Sequence, residues 1–205
     1  MKKLIISAAI VGLLGSVGYA NEYPTGGMPA MPPGVSIPSM GSNQATQQQF
    51  SEKWKVPSYK KVCKYIVDVE GWQAEKCSGS NMKAPSGELV AVERDYTNGN
   101  KKVGITVLNG SMVLMSWAPF AQGVTIDSDK EFLKVFEMKG YKVGVGYDKI
   151  EHSGTIAVPL IKADELKNEP AFAVFGVNFE NMDYKEALDF IENFDFEALE
   201  SLFRK

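Results

Sequence analysis

The stretch ELVAVERDYTNGNKKVGITVL, residues 88–108, constrains the fold most, because it alternates apolar and polar residues on both sides of an Asn-Gly pair. Strict alternation signals a strand with one buried face, and Asn-Gly is the preferred centre of a two-residue type I′ turn. Placing Asn98 and Gly99 at the centre of that turn pairs Val92 with Ile105 and Val90 with Val107. Asp95 then meets Lys102 on the other face, and Arg94 falls on the apolar side opposite Val103. Apolar opposes apolar and acid opposes base, so this register agrees with cross-strand pairing preferences.

More strands follow. EFLKVFEM and YKVGVGYDKI join around Lys139-Gly140, pairing Phe136 with Val143 and Glu137 with Lys142. After a turn at His152, Ser153 and Gly154, TIAVPLI reads as a strand that Pro159 assigns to an edge. AFAVFGVNF is apolar on both faces and suits a sheet centre covered on both sides.

Helices flank these strands. In PSYKKVCKYIVDVEGW, Tyr59, Val62, Cys63 and Ile66 recur at helical spacing between Pro57 and Gly71. A strand through Trp72, Ala74 and Cys77 then leads into the polar loop SGSNMKAPSG. SMVLMSWAPFAQG reads as a short helix ended by Pro119. At the C-terminus, Asp183 with Glu186 resembles a capping box ahead of a stripe of Ala187, Leu188, Ile191 and Phe194. Asp195 caps a second short helix carrying Leu199, Leu202 and Phe203. The expected fold is α+β, an antiparallel meander of about six strands packed with N-terminal and C-terminal helices.

The beginning of the chain is different. Lys2 and Lys3, an apolar run from Leu4 to Leu14 and the small-residue pattern ending at Ala20 form a cleavable signal peptide, residues 1–20, with cleavage expected after Ala20. The run is short for a membrane span, so no stable span is expected after cleavage. No cysteine follows it, which closes the lipoprotein route. The lysine-led leader has a bacterial look and indicates the periplasm or the exterior. Residues 21–49 are rich in Pro, Gly, Ser, Asn, Gln and Met and read as a disordered linker. Residues 50–205 form the single folded domain.

Export makes a bridge between the two cysteines, Cys63 and Cys77, the natural reading. It would close a loop worth about 3 kcal/mol by chain entropy. A redox pair usually has Cys-x-x-Cys spacing, and zinc needs more ligands than two thiols and one histidine. Removing Lys2 and Lys3 leaves 20 basic against 25 acidic residues, a formal charge of −5. That surface argues against nucleic acid or anionic lipid as partners.

Few residues point to chemistry. His152 is the only histidine and lies in the turn EHSGT, a poor place to assemble a triad with Ser153 and Asp148. TIDSDKE has alternating acids and lacks the glycine and later ligands of a calcium loop. The glycines of VGVGYDK lie inside a strand pattern and form no phosphate cradle. Arg94 either receives a ligand carboxylate or phosphate, or lays its stem on the core with its charge in water. Met112, Met115, Trp117 and Phe120 are candidates for the mouth of an apolar cavity between sheet and helices. Met28, Met31 and Met40 lie in GGMPAMPPGVSIPSMGSN, where three thioethers suit Cu(I) if the segment is more than a tether.

The helix, the entry VEGWQAEK, the hairpin VERDYTNGNKKVGITVLNG and the helical end FDFEALESLF together resemble uncharacterised exported bacterial domains, over about residues 57 to 203. That resemblance implies the α+β class and an exported location, and carries over no site. The element order is also similar to PsbP/Mog1-like folds, as an analogy of fold only. The expected function is an exported, non-enzymatic domain binding a protein or cell-envelope partner. The alternative is a small-ligand role, with an apolar ligand in the sheet-helix cleft or Cu(I) on the linker methionines.

Overall fold

The structure is a computed structural model and describes residues 53–84, 87–121 and 123–205. The expected signal peptide and linker, with Met28, Met31 and Met40, lie outside these residues.

The hairpin expected around Asn98-Gly99 is present with a different turn. Strand β3, Gly87–Asn98, pairs with β4, Lys101–Asn109, so that Asn98 faces Lys101, Arg94 faces Ile105 and Val92 faces Val107. The two central turn residues are therefore Gly99 and Asn100. Only Gly99 takes a positive φ, +61°, the pattern of a turn with glycine at its first central position, as in type II′. The expected pairing is displaced by two residues. Such a slip keeps every side chain on its own face, so alternation cannot detect it.

The second hairpin pairs as expected. Strand β6, Glu131–Met138, meets β7, Tyr141–Asp148, with Phe136 opposite Val143 and Glu137 opposite Lys142. Lys139 and Gly140 both take positive φ, +52° and +81°, as a type I′ turn requires.

Among the described residues nine antiparallel strands form one sheet, more than the expected number of about six. The order is β1-β3-β4-β9-β8-β7-β6-β5, and β2 also pairs with β3. The strand expected through Trp72, Ala74 and Cys77 is present as β1, only Gln73–Ala74. The additions are β5, Ile126–Asp127, also two residues long, and β2, Ser78–Ala84, the polar stretch read as a loop. It runs along the outer edge of β3, where no apolar alternation is demanded. Strand β8, Ser153–Pro159, lies between β7 and β9, so the edge assignment is corrected. The Leu160 N–H donates to Ala173 O on β9, which turns the Pro159 nitrogen to the other side, past the last residue pair with β7, Ala157 and Gly144. No ladder bond is lost there. Strand β9, Ala173–Glu180, sits mid-sheet between β4 and β8, with Ala173, Val174 and Phe175 consecutively buried.

After β4 the chain crosses the sheet as helix α2, Ser111–Ala121, then meanders back from β5 to β9. Pro119 stands inside this helix, which continues two residues beyond the expected stop.

The opposite sheet face carries the main core. Helix α3, Tyr184–Ile191, starts where the Asp183 carboxylate accepts from the Lys185 N–H at 2.9 Å. Glu186 pairs with Lys101. Helix α4, Phe196–Phe203, starts where Asp195 accepts from the Ala198 N–H at 2.9 Å. Phe190, Phe194 and Phe196 pack against Tyr96, Phe175 and Tyr141, with ring centroids 5.2–6.3 Å apart.

The first helix is shorter than its spacing predicts. Helix α1 covers only Tyr59–Val62, and Cys63–Tyr65 continues as a 3-10 turn. The following Ile66-Val67-Asp68-Val69 is rich in β-branched residues, which lose rotamer freedom in a helix. Its carbonyls find other donors, since Ile66 O accepts from Arg94 Nη1 and Val67 O accepts from Tyr96 OH at 2.7 Å. The Cys63–Cys77 disulfide, with Cα atoms 5.7 Å apart, ties this segment to the start of β2.

Trp54 ends the core at the other side. It bridges to Arg204, stacks on Phe172 at 5.6 Å and lies under the Arg204 guanidinium at 4.7 Å. Lys55 N donates to Phe203 O and Lys205 N to Lys53 O, so the first described residues pair with the last.

Candidate functional site

Helix α2 covers part of its sheet face and leaves a cleft beside it of about 400 Å³. Phe120 fixes the spacing, because its ring lies directly on Gly144 of β7, where any Cβ would come within 2.3 Å of Cγ. The missing side chain at Gly144 therefore lets helix and sheet meet at ring contact. Trp117 and Phe120, 5.6 Å apart at 40°, form one wall with Val113. Val135, the β6 partner of Gly144, and Lys142 come from the sheet.

The remaining wall is the connection from β8 to β9, through Ala163, Leu166, Lys167, Pro170 and Ala171. This connection is held in place by several bonds. Ala163 N donates to Gly140 O at 2.8 Å, and Leu166 N donates to Lys162 O at 2.9 Å. Glu165 accepts from Arg204 Nη2 at 2.7 Å, and Glu169 pairs with Lys53 at 3.1 Å. The wall is thus braced by both ends of the described chain.

Two of the four residues expected at a cavity mouth, Trp117 and Phe120, line this cleft. Met112 and Met115 belong to the same helix, and their side chains lie outside the described set. Val135, Lys142, Leu166 and Lys167 were not anticipated. Leu166 carried a faint signal, as an apolar residue within the polar run ADELKNEP.

Arg94 has a structural environment. Its Nε donates to Glu75 O at 2.8 Å, its Nη1 to Ile66 O and its Nη2 to Asp68, while the guanidinium lies 5.3 Å from the Tyr96 ring centroid. Its side chain is only 14% exposed. Every nitrogen of the fork is thereby directed at the segment between α1 and β2.

A second hollow, about 320 Å³, lies between Tyr141, Lys139, Lys162 and the junction of α3 and α4. Both of its lysines are engaged within the protein. Lys139 donates to Glu192 O at 2.7 Å, and Lys162 pairs with Glu197 at 3.3 Å while lying 4.4 Å from the Tyr141 ring centroid. Beneath it, Tyr141 OH donates to buried Glu200 at 2.7 Å, and Arg204 holds the other Glu200 oxygen. Burial first, and then the bond to Glu200, push the Tyr141 phenol far above its ordinary value.

His152 is exposed in the β7–β8 turn with φ +47°, and its Nδ1 lies 2.9 Å from Tyr147 OH. Asp148 does not address it, because its carboxylate accepts from the N–H groups of Ile150 and Glu151. Asp127 pairs with Lys149 at 2.6 Å, which leaves the TIDSDKE segment organised by a lysine. Among the described residues, no group of three or more His, Cys, Asp or Glu gathers as a metal site, and no helix is long and apolar enough to cross a membrane. Comparison of the chain with protein-family models, with curated proteins and with solved structures finds no match.

Proposed function

We propose that the protein is an exported, non-enzymatic binding domain that holds an apolar group of a cell-envelope component or partner in the cleft beside α2. The observation that carries this reading is the lining of the cleft. Aromatic and aliphatic side chains from α2, β6 and the β8–β9 connection surround about 400 Å³, and lysines are the only charged groups among the described lining residues. That volume lies in the usual range for small-ligand sites, about 300–1,000 Å³. Such a wall offers apolar burial and a few points of charge, which suits holding a ligand. The signal-like leader and the Cys63–Cys77 bridge support the exported setting.

Nile red, a neutral apolar dye, tests the cleft directly. It should bind the native protein one-to-one with a blue-shifted emission. The half-buried Leu166 stands in the wall, so Leu166→Arg should abolish binding and leave the urea midpoint nearly unchanged. Equal dye binding by the native protein and a folded Leu166→Arg variant would sink the proposal.

A further inference from the structure

We infer that the occupant of the α2 cleft is a single acyl chain carrying an anionic headgroup. This deepens the proposed function and rests on the same cleft. Its walls include the apolar Val113, Phe120, Val135 and Leu166, and its charged side chains are Lys142 and Lys167.

The chain as a whole is acidic, yet both charged side chains that line this cleft are lysines. Glu165 and Glu169 flank Lys167 in sequence, and each is engaged by a cation: Glu165 by Arg204 at 2.7 Å, which it shares with Glu200, and Glu169 by Lys53 at 3.1 Å. Glu137 faces Lys142 at 3.1 Å. Lys167, exposed, has no ion-pair partner among the described residues, so its ammonium is free to meet an anion beside an apolar hollow. A chain buried between Trp117 and Leu166 would bring a terminal anion to that ammonium, and a cationic head would meet like charge. Lysine, a point charge with three rotatable donors, fits a carboxylate or a phosphodiester equally. The shared chemistry is therefore an acyl tail with one negative group, whether a free fatty acid or a lysophospholipid.

Calorimetric titration of the purified full chain separates the cases, with every amphiphile kept below its micelle concentration. The probes are dodecanoate, lauroyl lysophosphatidylglycerol, dodecanol and dodecyltrimethylammonium. At least one of the two anions should bind about tenfold more tightly than dodecanol, and the ammonium should bind more weakly than dodecanol. In Lys142→Gln/Lys167→Gln the anion preference should vanish while dodecanol binding is retained. Preference for dodecanoate alone assigns a free fatty acid, and preference for the lysolipid alone assigns a phosphodiester head, both upholding the inference. Equal binding of all four overturns the anionic headgroup and leaves the apolar cleft standing. No binding of any probe by the folded protein overturns both.

Discussion

The ring of Phe120 in α2 rests on the backbone of Gly144 in β7, leaving no room for a side chain beneath it. The near atoms are Cγ and both Cδ carbons, which sit at the root of the ring and cannot swing aside as a flexible tip would. Gly144→Ala must therefore lift the helix or force Phe120 off its rotamer, at a cost of about 1–3 kcal/mol. Urea denaturation should show that loss. Because both residues own one contact, Phe120→Ala should remove most of the penalty in the double variant, giving a coupling energy of about 1 kcal/mol or more. Additive effects would show that the contact does not set the helix position.

The β3–β4 turn makes a sharper test of backbone conformation. With Gly99 at φ +61° and Asn98 in the strand, the glycine carries the demand and the asparagine does not. Gly99→Ala should cost about 1–2 kcal/mol from left-handed strain alone, since nothing lies within 4 Å of a Cβ there. Asn98→Ala should cost under about 0.5 kcal/mol, the usual range for an exposed surface change. If the turn were centred on Asn98-Gly99 both positions would take positive φ and Asn98→Ala would also be costly, and thermal unfolding of the two variants decides between them.

These two hairpins also show what a sequence can specify. Around Lys139-Gly140 the turn pair and the cross-strand charges Glu137 and Lys142 agree on one register, and that register is observed. Around Gly99 two registers satisfy the same alternation, because a two-residue slip exchanges one apolar partner for another. Strand β2 was hidden for another reason. Its exposed, polar residues at a sheet edge carry no burial pattern, and its pairing follows from β3, which extends far enough to receive it. At the cleft, Trp117 and Phe120 were legible as more apolar residues than one helix face requires. Lys167 was not, since its significance comes from the distant Arg204 and Lys53 that occupy its neighbouring acids.

Arg94 links β3 to the segment that follows α1, and its loss should loosen that segment selectively. Arg94→Ala leaves the carbonyls of Ile66 and Glu75 without their donor, a cost of about 3 kcal/mol for charge-assisted bonds lost together. Arg94→Lys should recover only part of it, because one ammonium cannot reproduce the planar fork. Hydrogen exchange should accelerate across residues 66–77 in both variants and remain slow in β8 and β9. Uniform acceleration would indicate global unfolding and contradict a local role.

The disulfide acts on the same segment by a different route. Cys63 and Cys77 are 14 residues apart, so the bridge restricts the unfolded chain by about 3 kcal/mol in the chain-entropy model. Cys63→Ser/Cys77→Ser should lose about that amount in urea denaturation, and dithiothreitol should lower the native protein to the same stability without affecting the variant. Native stability insensitive to full reduction would contradict the bridge's role.

Alkaline unfolding should report the buried phenols. Tyr96 is buried and donates to Val67 O, and its pKa is pushed up to about 12 by burial against the opposing pull of Arg94. Tyr141 is raised further, by burial and then by its bond to Glu200, and burial raises Tyr147 in the same direction. In the unfolded chain each phenol ionises near its ordinary value of about 10. Below that pH both states hold the protons and the stabilisation is intact. Above it the unfolded chain loses protons that the folded protein keeps, so unfolding becomes progressively easier as pH rises toward about 12 and beyond. Each retained proton contributes a slope of about 1.4 kcal/mol per pH unit. Tyr96 and Tyr141 together should therefore make stability fall by about 2 kcal/mol per unit at about pH 11, between the unfolded and folded ionisations. Tyr141→Phe should remove one proton's share of that slope, and the native absorbance at the tyrosinate band should lag behind that of the urea-unfolded chain. A flat stability profile across this window, or an unchanged slope in Tyr141→Phe, would mean that the Tyr141–Glu200 bond does not hold its proton.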